Sequence, residues 1–372
     1  MKKIMIIFGT RPEAIKMAPL IKIFRKNKKV EIKIIVTAQH REMLDQILTL
    51  FKIQPDYDLD IMRSGQSLTT ITTKILLGIE EILRIEKPDL VLVHGDTSTT
   101  FACSFAAFYQ QIPIGHVEAG LRTFNKYSPF PEEINRRLTA CLSDLHFAPT
   151  ETAKQNLIQE GINPQNIYVT GNTVIDALYD TVNNNYQFKD ALLNQLFDSQ
   201  QKIILLTTHR RENLGKPMES IFLAIRDILI ANEDVRVLFP IHYNPLIRNL
   251  AKTIFEDLEG IYIIEPLDYE PFVNVMSKCF LVLTDSGGIQ EEAPALGKPV
   301  LVLRDTTERP EAIQAGTVKL VGINPDSIVT ETNYLLHNHR AYIKMANAIN
   351  PYGDGKASQR IYDLVLKYLG VQ

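Results

Sequence analysis

Three carboxylates occupy positions that are costly unless they are used. Asp96, in His94-Gly95-Asp96-Thr97-Ser98, and Glu118, in His116-Val117-Glu118-Ala119-Gly120-Leu121-Arg122, each follow a short apolar run and lie near a glycine. Glu132 lies in Pro129-Phe130-Pro131-Glu132-Glu133-Ile134-Asn135-Arg136-Arg137, a proline-bounded loop that runs into a helical segment. An acid at a strand end in a closing site can carry the shifted pKa that proton transfer needs, and Glu118 is the best placed general base. The alternative roles are structural: Asp96 as a helix N-cap, Glu132 and Glu133 as partners of a helix dipole. His209, in Thr207-Thr208-His209-Arg210-Arg211-Glu212-Asn213, is placed to donate to a phosphate or to act on a proton.

A second set of residues suits an anion. The stretch from Thr284 through Asp285-Ser286-Gly287-Gly288 to Glu292 reads as a strand, a tight turn and a helix start, with Ser286 as N-cap. Gly287 and Gly288 let the backbone approach a ligand, and the free N–H groups of the first helical turn would receive a diphosphate. Glu291 and Glu292 follow; a carboxylate there suits ribose hydroxyls, so a nucleotide fits better than bare phosphate. Arg11 and Lys16, in Gly9-Thr10-Arg11-Pro12-Glu13-Ala14-Ile15-Lys16, and Arg309, before Pro310-Glu311, add cations. Thr10 and Glu13 have capping-box spacing and Pro12 falls in the first turn, which specifies a helix start after Thr10.

These residues need a scaffold that puts them at strand ends. Short runs rich in Ile and Val at 4–8, 32–36, 90–93, 114–117, 145–148 and 167–169 alternate with helical segments. After a polar stretch at 183–187 the pattern restarts at 203–207, 235–239, 261–264, 280–284, 300–303 and 318–321. The alternation predicts an α/β protein with two Rossmann-like, doubly wound domains facing a cleft: 1–170, and 171–354 as the nucleotide-binding domain. The last helical segment, 355–372, packs back on the first domain in this reading. Ligands of open α/β sheets bind outside the carboxyl ends of the strands, where the acids and cations fall.

Composition narrows the classes of partner. The chain has 372 residues, 45% hydrophobic and 22% charged, with a net charge of −3, which describes a two-domain globular protein without the basic excess that recruits nucleic acid or an anionic membrane. Cys103, Cys141 and Cys279 stand far apart in apolar surroundings and read as reduced core residues of a cytoplasmic protein. The run at 4–8 is too short for a signal peptide, and no stretch is long enough to span a bilayer. There is no G-x-G-x-x-G for NAD, and the remaining histidines form no metal-binding pattern, so neither cofactor nor metal is expected.

Taken together, G-T-R-P-E-A-I-K at 9–16, G-D-T at 95–97, H-V-E-A-G-L-R-T at 116–123, F-P-E-E-I-N-R at 130–136, T-H-R-R-E-N at 208–213 and D-S-G-G-I-Q-E-E-A at 285–293 closely resemble the non-hydrolysing UDP-N-acetylglucosamine 2-epimerases. The resemblance implies a fold like that of GT-B glycosyltransferases and interconversion of UDP-GlcNAc and UDP-ManNAc by a homodimer, without metal or NAD. It places Arg11, Lys16, His209, Ser286, Gly287, Gly288 and Arg309 around the diphosphate, Glu292 on the ribose and Phe272 near the uracil. Asp96, Glu118 and Glu132 correspond to the proton-transfer carboxylates. Gln39, Arg210 and His242 match an activator site for a second UDP-GlcNAc; Glu42 departs from the family's Gln there, and a carboxylate near a diphosphate is unfavourable. The hydrolysing form of the enzyme, a GT-B UDP-sugar transferase and a nucleotide-sugar sensor are the rival readings.

Overall fold

The Ile- and Val-rich runs form parallel strands whose side chains are mostly buried, the pattern of a sheet covered by helices on both faces. The computed structural model describes residues 1–38, 41–63 and 65–371. They divide into one unit made of 1–180 with the C-terminal segment from Tyr352, and a second made of 181–351.

In the first unit the strands are β1 (Lys3–Phe8), β2 (Glu31–Val36), β3 (Tyr57–Asp58), β4 (Leu90–His94), β5 (Ile114–Val117), β6 (Leu145–Ala148) and β7 (Ile167–Val169). They pair in parallel in the order β3-β2-β1-β4-β5-β6-β7. The chain runs outward from β1 in one direction and from β4 in the other, so the order reverses between β1 and β4. Loops leaving those two strands diverge there and open a crevice for a ligand. Beneath it the helices Leu68–Glu86 and Ser98–Tyr109 pack Ile71, Ile75, Ile79, Ala102 and Cys103 against Val91 and Val93.

The second unit repeats the plan with β8 (Lys202–Thr207), β9 (Val235–Pro240), β10 (Ile261–Ile264), β11 (Leu281–Thr284), β12 (Val300–Val302) and β13 (Val318–Leu320). Its parallel order is β10-β9-β8-β11-β12-β13, and the reversal lies between β8 and β11. Ile221, Phe222, Ile225 and Ile228 of the helix Lys216–Ala231 fill its core against Val237 and Phe239.

Three expectations are corrected here. The seam lies after Asp180, ten residues beyond the expected 170, because the helix Thr173–Thr181 is held by the first unit: Asp176 accepts the N–H groups of Ala357 and Ser358 at 3.2 and 2.8 Å, opening the helix Ala357–Tyr368. Strand β3 is additional; it is two residues long and has no apolar run to announce it. Cys103 and Cys279 are buried, whereas Cys141 is exposed near the end of the helix Glu132–Leu142. Among the described residues no helix is long and apolar enough to cross a membrane.

Candidate active site

Local chemistry sets the loop after β1. A Cβ at Gly9 would lie 2.1 Å from Thr37 Oγ1 and 2.4 Å from Thr99 Oγ1, so only glycine fits. Thr10 caps the helix Arg11–Asn27 with the expected capping box and Pro12 in its first turn. Glu13 does more than cap. Its Oε2 accepts Gly9 N at 3.0 Å, Thr10 N at 2.8 Å and Thr10 Oγ1 at 2.8 Å, while its Oε1 accepts Thr97 Oγ1 at 2.8 Å and Thr100 Oγ1 at 3.0 Å. This buried acid therefore ties the loop after β1 to the loop after β4. Burial pushes its pKa up, and the hydrogen bonds from Thr97, Gly9, Thr10 and Thr100 oppose that rise.

The first unit gathers three sequence-selected residues at the ends of β1, β4 and β5. Lys16, one turn into its helix, pairs with Oε1 of Glu118, which also accepts Asn172 Nδ2 at 2.9 Å. Glu118 sits at φ 62°, a left-handed conformation that a glutamate adopts only when its surroundings hold it there. Burial alone would raise its pKa, but the Lys16 charge, the charge His94 takes up in acid and the two hydrogen bonds outweigh that and hold it far below the usual carboxylate range. Asp96 pairs with Arg136, and its carbonyl accepts Asn135 Nδ2 at 3.0 Å. Burial pushes the Asp96 carboxyl up, against the pull of Arg136. The N-cap of the following helix is Thr97, so Asp96 is not spent as a cap.

Glu132 opens the helix Glu132–Leu142, half-buried. Its neighbour Glu133 is fully buried and takes the structural role, accepting Thr123 N and Phe124 N at 3.1 Å each and lying 3.5 Å from Arg136. Arg11 is half-buried at the head of its helix.

The second unit is organised by Asp285, a fully buried carboxylate just past β11. It accepts His209 N and Arg210 N at 2.9 Å, Thr208 Oγ1 at 2.9 Å and Asn213 Nδ2 at 3.0 Å. The turn after β8 is thereby fixed to the turn after β11, across the point where the strand order reverses. The His209 ring lies 3.6 Å from Asp285 and stacks on His242 at 5.6 Å. Burial lowers its pKa, with Asp285 pulling the other way. A Cβ on Gly287 would lie 3.6 Å from Arg210, and one on Gly288 would lie 3.5 Å from Glu292, so a cation and an acid flank the bare glycine backbone.

Ser286 is not the N-cap: the helix Ile289–Ala295 starts two residues later than that cap would set it, with Gly288 in that position and no side-chain cap. Ser286 N instead donates to Thr284 Oγ1 at 2.9 Å, and its carbonyl accepts Gln290 Nε2 at 3.1 Å. Gln290 accepts Thr307 Oγ1 at 2.6 Å, and Thr307 accepts Arg309 N at 3.1 Å. Arg309 pairs with Glu291, which is buried, while Glu292 remains partly exposed. Phe272 is half-buried on the helix Tyr269–Lys278.

Of the residues matched to an activator site, Gln39 lies outside the described residues. Glu42 is exposed in the first turn of the helix Arg41–Leu50, in the first unit, and Arg210 and His242 belong to the second. Among the described residues no group of three His, Cys, Asp or Glu side chains could hold a metal ion. Sequence reading passed over Asp285, His94 and Asn172 as working residues. The one available signal was their position just after strands.

The fold and the site define an α/β protein built from two Rossmann-like units, with acids and a lysine at the strand ends of one and a glycine-rich turn in the other. A family profile described as UDP-N-acetylglucosamine 2-epimerase matches residues 22–366. The chain belongs to this family. It is 55% identical over 368 residues to the UDP-N-acetylglucosamine 2-epimerase of Bacillus subtilis strain 168, covering 99% of this chain and 96% of that protein. The crystal structure of UDP-GlcNAc 2-epimerase from Neisseria meningitidis bound to UDP-GlcNAc superimposes with a TM-score of 0.86 at 51% identity, over 98% of this chain and 100% of that one. The Methanocaldococcus jannaschii enzyme, in complex with UDP-GlcNAc and UDP, gives 0.78 at 37% identity, over 98% and 99%. The shared architecture is GT-B-like.

Proposed function

We propose that the chain interconverts UDP-GlcNAc and UDP-ManNAc without hydrolysis, needing neither metal nor NAD. The observation that carries the reading is Glu118, a buried carboxylate held ionised at the end of β5 by Lys16 and Asn172, with Asp96 and Arg136 at the end of β4. In this reaction Glu118 takes the proton from C2, the electron pair left behind forms the C1–C2 double bond, and the C1–O bond to UDP breaks. The product is bound 2-acetamidoglucal and UDP. A second acid, from Asp96 and Glu132, returns a proton to the other face of C2 while a diphosphate oxygen re-adds at C1. UDP is taken by the second unit: backbone at Ser286–Gly288 and the cation Arg309 serve the diphosphate, Glu292 the ribose and Phe272 the uracil. His209, Arg11 and Lys16 are further donors to the diphosphate in this reading.

The deciding experiment is proton NMR of enzyme with UDP-GlcNAc in D₂O, with nothing else added. UDP-ManNAc carrying deuterium at C2 is the expected product. Free ManNAc with UDP would instead identify the hydrolysing form, and no turnover without an acceptor would favour a transferase. Glu42 stands where the family's activator site has Gln, and its charge opposes a second diphosphate, so saturation kinetics without activation by substrate is the expectation. Homodimerisation is supported by Leu77, Ile85, Phe108 and Tyr109, apolar side chains left exposed on two mutually packed helices of the first unit. Light scattering of the purified protein tests it.

A further inference from the structure

His94 is 3% exposed, and neither of its ring nitrogens has a hydrogen-bond partner among the described residues. Its Nε2 lies 3.6 Å from Glu118 Oε2. A buried imidazole with both nitrogens unpaired is costly, and such exceptions call for a use. The backbone that carries the ring is anchored: the His94 carbonyl lies 2.5 Å from Thr100 Oγ1, a hydroxyl it shares with Glu13, and the next carbonyl, of Gly95, accepts His116 Nε2 at 2.7 Å. Burial holds the His94 pKa down at about 4, so the ring is neutral near pH 7 and has a lone pair on one nitrogen.

The other two contacts of Glu118 are donors only. Lys16 has three N–H bonds and no lone pair. Asn172 meets the carboxylate through Nδ2, while its Oδ1 accepts Val174 N at 3.1 Å. Both therefore favour the ionised carboxylate. Once Glu118 has taken the C2 proton it carries an O–H that neither contacting atom, Lys16 Nζ or Asn172 Nδ2, can accept, and a buried unpaired hydroxyl is expensive.

Resting on the reading of Glu118 as the C2 base, we infer that His94 accepts the hydrogen bond of protonated Glu118 during turnover, and is thus a positioning residue for the base. The C2–H bond breaks, the O–H bond forms on Glu118, and the electron pair on C2 expels UDP from C1. A small rotation of the carboxyl then brings the O–H from 3.6 Å to hydrogen-bonding distance of Nε2. No proton need pass on to His94. In the ground state the contact is too long to count, so its contribution falls on the rate and not on binding.

The test compares His94→Leu, His94→Gln and Glu118→Gln by kcat, KM and calorimetric UDP affinity, with thermal melts to establish folding. Loss of the acceptor should lower kcat of His94→Leu by about ten- to a hundredfold with KM and UDP affinity within about threefold. His94→Gln offers an amide oxygen at a similar reach and should recover most of that loss. Normal kcat in His94→Leu, or equal losses in folded Leu and Gln variants, would overturn the inference. Should the Leu variant not fold, the Gln variant decides alone: turnover within about threefold of wild type upholds it and a loss beyond tenfold overturns it. Normal turnover by Glu118→Gln would instead remove the base assignment itself, which separates the two failures.

Discussion

Lys16 Nζ donates to Glu118 Oε1 across 102 positions of sequence, joining the first helix to the end of β5. The two side chains are 18% and 8% exposed, so this is a pair largely withdrawn from water. Breaking such a pair by removing one partner typically costs about 3–5 kcal/mol, because the other charge stays buried. Lys16→Met should therefore destabilise the first unit by that order at pH 7, read from urea denaturation. The sign with pH follows from the depressed pKa of Glu118. Its contribution is complete above its ordinary value of 4.5 and is lost as pH falls toward the folded value. The destabilisation by Lys16→Met should shrink in acid, and an equal loss at pH 7 and pH 4 would contradict the pairing.

Glu118→Gln keeps the shape of the side chain and a hydrogen-bond acceptor for Asn172, but cannot take a proton near neutral pH. Folding and UDP binding should survive. General acid–base catalysis contributes about 10²–10⁴-fold, so kcat should fall by that order while UDP affinity is little changed. Near-normal turnover would exclude Glu118 from proton transfer.

Glu292→Ala addresses the nucleotide half. Glu292 faces the glycine turn from the first turn of its own helix and is half-buried. Loss of charge-assisted hydrogen bonds to the ribose should cost about 1.5–3 kcal/mol, tenfold or more in UDP affinity. An unchanged dissociation constant by calorimetry would remove this residue from the nucleotide site.

The parts of this molecule legible in the sequence are those set by local rules. Runs such as 4–8 and 203–207 are apolar because both faces of a parallel strand are covered, and Thr10, Pro12 and Glu13 announce a helix start within four residues. Tyr57–Asp58 escaped because an edge strand of two residues needs no pattern, and Cys141 because a helix turns its residues to different faces. Ser286 was misassigned because capping preference cannot tell where the turn ends. Asp285 is signalled only by its place after a strand, and its work is not: its partners Thr208, His209, Arg210 and Asn213 lie 72–77 positions upstream and meet it only when β8 and β11 pair.

That arrangement makes Asp285→Asn a severe change. The four donors all meet Oδ2, so an amide oxygen in that place keeps their geometry but gives up the charge, and its N–H₂ group replaces Oδ1 beside the His209 N–H at 3.2 Å. Hydrogen bonds to a charged group contribute about 1.5–3 kcal/mol each, so the second unit should lose at least about 3 kcal/mol. His209 and Arg210 would lose their fixed backbone, and UDP affinity should fall with stability. A denaturation midpoint equal to wild type would show that the turn is held by other contacts.

Three buried histidines make the first unit sensitive to acid. His94, His116 and His146 stand on β4, β5 and β6, and burial lowers their pKa values to about 4, 3 and 4. Because the folded values lie below the ordinary 6.5, the unfolded chain binds more protons as pH falls. Their contribution to stability is complete above about pH 6.5 and is lost progressively toward the folded values, by roughly 1–2 kcal/mol each at pH 5. The raised carboxyls of Glu13, Asp96 and Asp176 act in the opposite direction as they take protons in the folded state. A single-site comparison cancels that background. His146 touches none of the proposed chemistry, so His146→Gln isolates one histidine: the variant should be less stable than wild type at pH 7.5, and the gap should narrow by about 1–2 kcal/mol on going to pH 5. Parallel losses in the two proteins would mean that His146 takes its proton as readily folded as unfolded.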